Sequence, residues 1–132
     1  MSTITVTNIK ATGETASRAV SGVAAAWCNL NGTGTVAIRD STNMSSVTDL
    51  NVGYYTFNMS NDMANSNYAS DLSNSRASTI GNPPGYINMY TNNMTGLDFA
   101  PTTTSFSVGL LDYGVGGRDV TFVCVSTHGD LA

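Results

Sequence analysis

Apolar and polar residues alternate with a period of two along most of this chain. In the run Ala26-Trp27-Cys28-Asn29-Leu30, Ala26, Cys28 and Leu30 share one face while Trp27 and Asn29 share the other. That alternation predicts a half-buried strand. The next run, Thr35-Val36-Ala37-Ile38-Arg39, turns Val36 and Ile38 inward and Arg39 outward. Between the two lies Asn31-Gly32-Thr33-Gly34, whose residues tolerate positive φ, so the pair reads as a hairpin. Tyr55, Phe57 and Met59 alternate with polar partners after Gly53, and Tyr86-Ile87-Asn88-Met89-Tyr90 repeats the pattern after the turn Asn82-Pro83-Pro84-Gly85. Phe106, Val108 and Leu110 occupy alternate positions of a further run. Val120-Thr121-Phe122-Val123-Cys124-Val125 is apolar on both faces, which places it centrally in a sheet.

These runs are spaced about ten residues apart with turn signals between them, the pattern of an all-β, antiparallel β-sandwich of jelly-roll-like type. Only residues 16–26 have helical propensity, and Val20, Gly22 and Val23 weaken it. The polar stretch 58–78 predicts one strand near Tyr68 between long loops. Residues 1–15 read differently, because Ile4, Val6 and Ile9 are isolated apolar residues among Thr and Asn. They predict an extended docking arm that pairs with a neighbour, or an edge strand of the same domain; residues 16–132 form the sandwich.

Composition changes the picture at the surface. Of 132 residues, 15 are Ser, 18 Thr and 14 Asn, while charged residues make up 11%, against about 25% in an ordinary domain. A surface of hydroxyls and amides repels itself weakly, which suits a protein packed in many copies. Hydrophobic residues at 41% are enough to offset the ordering entropy. The net charge of -4 and the five scattered cations Lys10, Arg18, Arg39, Arg76 and Arg118 argue against nucleic acid. No apolar run approaches the ~18 residues of a membrane helix, and the first residues lack a signal peptide's pattern. Synthesis in a cytoplasm is therefore expected. Cys28 and Cys124 lie in apolar stretches and read as buried, reduced, Val-like residues; a disulfide between the first and last core strands is the alternative, disfavoured by cytoplasmic synthesis.

The stretch from Ala25-Ala26-Trp27-Cys28-Asn29-Leu30-Asn31-Gly32-Thr33-Gly34 to Thr35-Val36-Ala37-Ile38-Arg39 resembles a segment of bacteriophage tail-fibre-like and minor virion structural proteins. That family's pattern runs A-W-x-N-F-N-G-T-G-T-V-A-I-R. It continues here through Asn43-Met44-Ser45-Ser46-Val47-Thr48-Asp49, Tyr54-Tyr55-Thr56-Phe57-Asn58-Met59 and, one residue longer, Met63 to Ala69. Cys28 and Leu30 depart from the usual Val or Ile and Phe, and Leu50-Asn51-Val52-Gly53 replaces an N-G-T-G turn. From Ser70 onward nothing matches. The resemblance implies a structural component of a tailed phage particle, made in the host bacterial cytoplasm and carried on the virion. Its partners would be itself, as a homotrimer or another closed ring, and other capsid or tail proteins.

Little chemistry competes with that reading. The single histidine, His128, is expected in a terminal tail without a positioned acid. Gly114-Val115-Gly116-Gly117-Arg118 lacks the lysine and helix of a phosphate loop. No catalytic residue, metal site or cofactor is expected, and the chain reads as a non-enzyme. Trp27, Tyr54, Tyr86, Tyr90 and Tyr113 fall out of phase with the apolar faces or within turns. They are the candidate contacts, either between subunits or with a host surface glycan in a tail-fibre-type adhesin.

Overall fold

A computed structural model describes residues 2–9, 12, 18–19, 23–75, 86–89, 100–112 and 116–132, and among these there are strands and no helix. The strands are β1 (Asn8–Ile9), β2 (Arg18–Ala19), β3 (Ala24–Asn31), β4 (Ala37–Thr42), β5 (Met44–Asn51), β6 (Tyr54–Met59), β7 (Ala69–Asn74), β8 (Tyr86–Met89), β9 (Ser105–Asp112), β10 (Gly116–Gly117) and β11 (Val123–His128). All pairings are antiparallel. One sheet runs β4-β3-β11-β7, and the other is built on β5-β6-β9 with β8 and β10 also on β9. Val108 and Gly109 pair with both β6 and β8, and Leu111 pairs with both β8 and β10. β8 therefore lies across β9 from β6 and β10.

The chain passes between the sheets so that its early strands pair with its late ones, β3 with β11 and β6 with β9. β7 then flanks β11 and β8 flanks β9. Two antiparallel sheets stacked in this way form the β-sandwich that the alternation predicts.

The inward positions of both sheets make the core. Ala26, Cys28 and Leu30 from β3 meet Val123 and Val125 from β11, and Tyr55, Phe57 and Met59 from β6 meet Phe106, Val108 and Leu110 from β9. Phe57 and Phe106 are direct cross-strand partners with rings stacked at 5.2 Å, and Tyr68 meets Phe106 edge-on at 6.3 Å. Such pairs add about 0.5–1.5 kcal/mol each beyond the area they bury.

Polar pins fix the connections. Gly32 in the β3–β4 turn donates its N–H to Val120 O at 3.1 Å. The buried Tyr55 hydroxyl lies 2.7 Å from Asp119 Oδ1 and 3.0 Å from Gly32 O, and shares its one proton between them. Asp119 Oδ1 also accepts Gly53 N–H at 2.7 Å. The Gly32 and Gly53 turns thus close on one carboxylate, Gly53 directly and Gly32 through the Tyr55 hydroxyl. Asn43, at φ 55, is the single residue between β4 and β5 and carries the chain from one sheet to the other. Its Oδ1 accepts Asn61 N–H at 2.8 Å and its Nδ2 donates to Asn61 O at 3.1 Å.

Three expectations are corrected. Strand β11 begins at Val123 and not at Val120, and Phe122 is 46% exposed. β5 forms where no strand was predicted. His128 ends a paired strand instead of lying in a tail, because Ala64 N–H bonds Asp130 O, Ala132 N–H bonds Asp62 O, and Leu131 bridges Met63.

Candidate functional site

The outward face of the β4-β3-β11-β7 sheet holds the largest described gathering of chemistry. Register sets it out in two rows: Thr42, Trp27, Ser126 and Asp71 across the four strands, then Asp40, Asn29, Cys124 and Ser73. Neighbours in such rows stand about 5 Å apart at Cβ. Trp27 is partly exposed at the centre of this face, as its phase against Ala26 and Cys28 predicts. An indole plane ringed by an amide, hydroxyls and two carboxylates can stack on a flat apolar ligand surface and bond its hydroxyls. It can equally pack against another protein. A shallow groove of ≈ 210 Å³ runs beside it, lined by Asp71, Leu72, Ser73, Cys124, Val125 and Ser126.

A bulge shapes one border of this face. Asn29 pairs with Asp40 but Leu30 with Ile38, so Arg39 is an extra residue on β4. Its guanidinium reaches back over β3, donating to Leu30 O at 2.9 Å and Asn31 Oδ1 at 3.0 Å. It also lies 4.2 Å above the Phe122 ring, a cation–π contact of about 0.5–1 kcal/mol at an exposed site. Sequence reasoning assigned neither residue to a site. The signal for Phe122 was its position outside the Val123–Val125 alternation.

His128 has an acid beside it after all, since its Nε2 lies 3.7 Å from Asp71 Oδ2 and 3.5 Å from Ser126 Oγ. A nucleophilic triad needs the acid on one ring nitrogen and the hydroxyl on the other. Here both meet Nε2, so the imidazole cannot take a proton from Ser126 while Asp71 orients its far side. The pair is a surface contact, with Asp71 81% exposed.

The remaining candidates separate. Tyr54 is corrected: it is 5% exposed, and the backbone of β10 approaches its ring so closely that a Cβ at Gly117 would come within 2.9 Å of it. It therefore has no free ring face to offer. Tyr86 opens β8, and Tyr90 and Tyr113 lie outside the described residues. The register brings neither Tyr54 nor Tyr86 to Trp27. Of the arm residues, Ile4 is 86% and Val6 48% exposed, and Ile9 pairs with Arg18 in a two-stranded sheet apart from the sandwich sheets.

The cysteines are both free. Cys28 pairs with Val125 and faces the core, whereas Cys124 pairs with Asn29 and faces outward. Adjacent positions on neighbouring strands point to opposite faces, which is why no bond forms between them. Burial, with smaller contributions from Cys124 and Asp40, pushes the Cys28 thiol up to about 11, so it stays protonated and inert.

Comparison with family models, curated proteins and solved structures finds no match to this chain.

Proposed function

We propose that the chain is a structural component of a tailed bacteriophage particle, assembling as a symmetric oligomer through its N-terminal arm. The observation that carries this reading is the exposure of Ile4 and Val6 on a segment that joins neither sandwich sheet. Apolar side chains spaced by two on an extended backbone are suited to burial against a partner's sheet. The neutral, hydroxyl-rich surface and the resemblance of residues 24–69 to virion proteins support the same reading. Weak contacts of this kind sum over many copies in a closed assembly. In this role the protein acts by holding neighbours in place and transforms no substrate.

A second reading rests on Trp27. Its position among Asn29, Thr42, Ser126 and Asp71 on an open sheet face suits a host surface glycan, which would make the chain a tail-fibre-type adhesin.

Cryo-electron microscopy of particles carrying the intact chain or a chain without residues 1–15 tests the first reading. We expect a copy number that follows particle symmetry, and loss of incorporation on deletion while the sandwich remains soluble and folded. Unchanged incorporation would remove the arm from the mechanism. A few copies confined to the tail tip would favour the adhesin, and Trp27→Ala would then abolish binding to host cells.

A further inference from the structure

The sandwich has unequal sides. On one side the β4–β5 corner at Asn43 joins the two sheets directly. Both edge strands there are irregular: β4 carries the Arg39 bulge, and β5 breaks register at Met44/Ser46 and at Asp49/Asn51. Bulges are how sheet edges avoid unwanted pairing. Among the described residues the other edge of the first sheet carries no such bulge. β7 pairs with β11 over six residues without a register shift, and among the described residues no strand pairs with its other edge. Its inward Leu72 is only partly buried against the core, and Ser70 Oγ is buried with no hydrogen-bond partner.

The N-terminal segment matches this edge. Residues 2–7 are exposed, carry no strand pairing, and contain no charge and no proline. Six residues of extended chain span about 20 Å, the length of a six-residue strand. Ile4 and Val6 lie on one side of that segment, and Thr3, Thr5 and Thr7 on the other.

We infer that residues 2–7 of one copy add as a fifth strand to the edge of β7 that no described strand pairs, in a second copy. Ile4 and Val6 then cover Leu72 at the open side of the core, and the threonines continue the polar outward face beside Asp71 and Ser73. Backbone hydrogen bonds supply affinity, and the two apolar side chains set which face turns inward. Each copy both gives a strand and receives one, so the contact closes as a reciprocal pair or as a head-to-tail ring. This inference rests on the assembly reading above and specifies its joint.

Cross-linking of full-length chains in a Cys124→Ser background tests it. One preparation carries Thr5→Cys; the other carries Asp71→Cys, Ser73→Cys or, as a control on the bulged edge, Ser46→Cys. We expect mixed disulfide dimers with at least one β7 position to form about tenfold faster than with Ser46→Cys, since association raises the local thiol concentration. Sedimentation of wild type and of Ile4→Asp/Val6→Asp runs in parallel, with circular dichroism showing that both are folded. We expect an oligomer and a monomer, respectively. A wild type that stays monomeric overturns the assembly reading together with this joint. An oligomer that the arm variant leaves intact, or cross-links no faster at β7 than at Ser46→Cys, overturns strand donation alone.

Discussion

Tyr55 joins the core to two turns distant in sequence. Its ring lies in the core, fully buried, while its hydroxyl reaches Asp119 and the Gly32 carbonyl beyond the strand ends. Burial, then the hydrogen bond to Asp119 and the charges of Asp119 and Asp49, push the phenol well above its ordinary value of 10.0. The unfolded chain releases that proton near pH 10 and the folded chain keeps it. The phenol's contribution to stability is therefore complete below pH 10 and is lost above it, by about 1.4 kcal/mol per pH unit while the difference lasts. Cys28 acts with the same sign from its ordinary 9.0 to about 11. Urea titrations from pH 7 to 11 check this: we expect a falling midpoint above pH 9 to 10. Tyr55→Phe should lose about 1–3 kcal/mol at pH 7, because Asp119 loses a buried donor, and should flatten the alkaline limb. A parallel decline in variant and wild type would show that the phenol does not govern it. Gly32 belongs to the same knot, since a Cβ there would come within 2.7 Å of the Tyr55 hydroxyl and 2.8 Å of Val120 O. That close approach, and not a left-handed backbone, is why position 32 needs glycine.

At the scale of elements, the Asn43 corner decides whether β4 and β5 occupy different sheets. Its left-handed φ of 55 is tolerated by Asn and Gly, while its amide also holds Asn61. Asn43→Gly keeps the backbone and loses the clamp, so we expect about 1 kcal/mol of destabilisation. Asn43→Ala loses both and should cost about 2–3 kcal/mol. Equal denaturant midpoints for the two variants would mean that the left-handed backbone costs alanine little, and an Asn43→Gly midpoint equal to wild type would mean that the side chain contributes little. Legibility in the sequence followed burial. β3, β6 and β9 bury one whole face, so their alternation stands out in Ala26-Cys28-Leu30 and Phe106-Val108-Leu110. β5 is an edge strand whose only partly buried interior residue after Met44 is Val47, and its Ser- and Thr-rich run reads as loop. Tyr54 shows the converse error: its phase was outward, but β10 folds back over it, a contact that no local pattern encodes. The outward position of Trp27 was legible from phase. Arg39 over Phe122, and Asp71 beside His128, depend on a bulge and on inter-strand register, which come only with the three-dimensional pairing.

The whole molecule is closed by pairs distant in sequence. β3 meets β11 and β6 meets β9, so almost no sheet hydrogen bonding beyond the β3–β4, β5–β6 and β9–β10 hairpins can form before the chain's late strands arrive. Loop closure must precede the contacts that reward it, which places such topologies among the slower folders, in the range of roughly milliseconds to seconds. The inner face of β11 is the last piece: Val123 and Val125 are buried against the core, and Thr127 is buried with its hydroxyl 3.5 Å from Ala26 O. That bond is long and contributes little. Val125→Ala removes two methyl groups from the core and should cost about 1–3 kcal/mol, whereas Thr127→Val should be neutral within about 1 kcal/mol. If β11 docks after the rate-limiting step, stopped-flow traces for Val125→Ala will show faster unfolding with a nearly unchanged folding rate. Slower folding with unchanged unfolding would instead place the β3–β11 seam in the nucleus. The pairing of the chain's first and last core strands would then precede the packing of the second sheet against them.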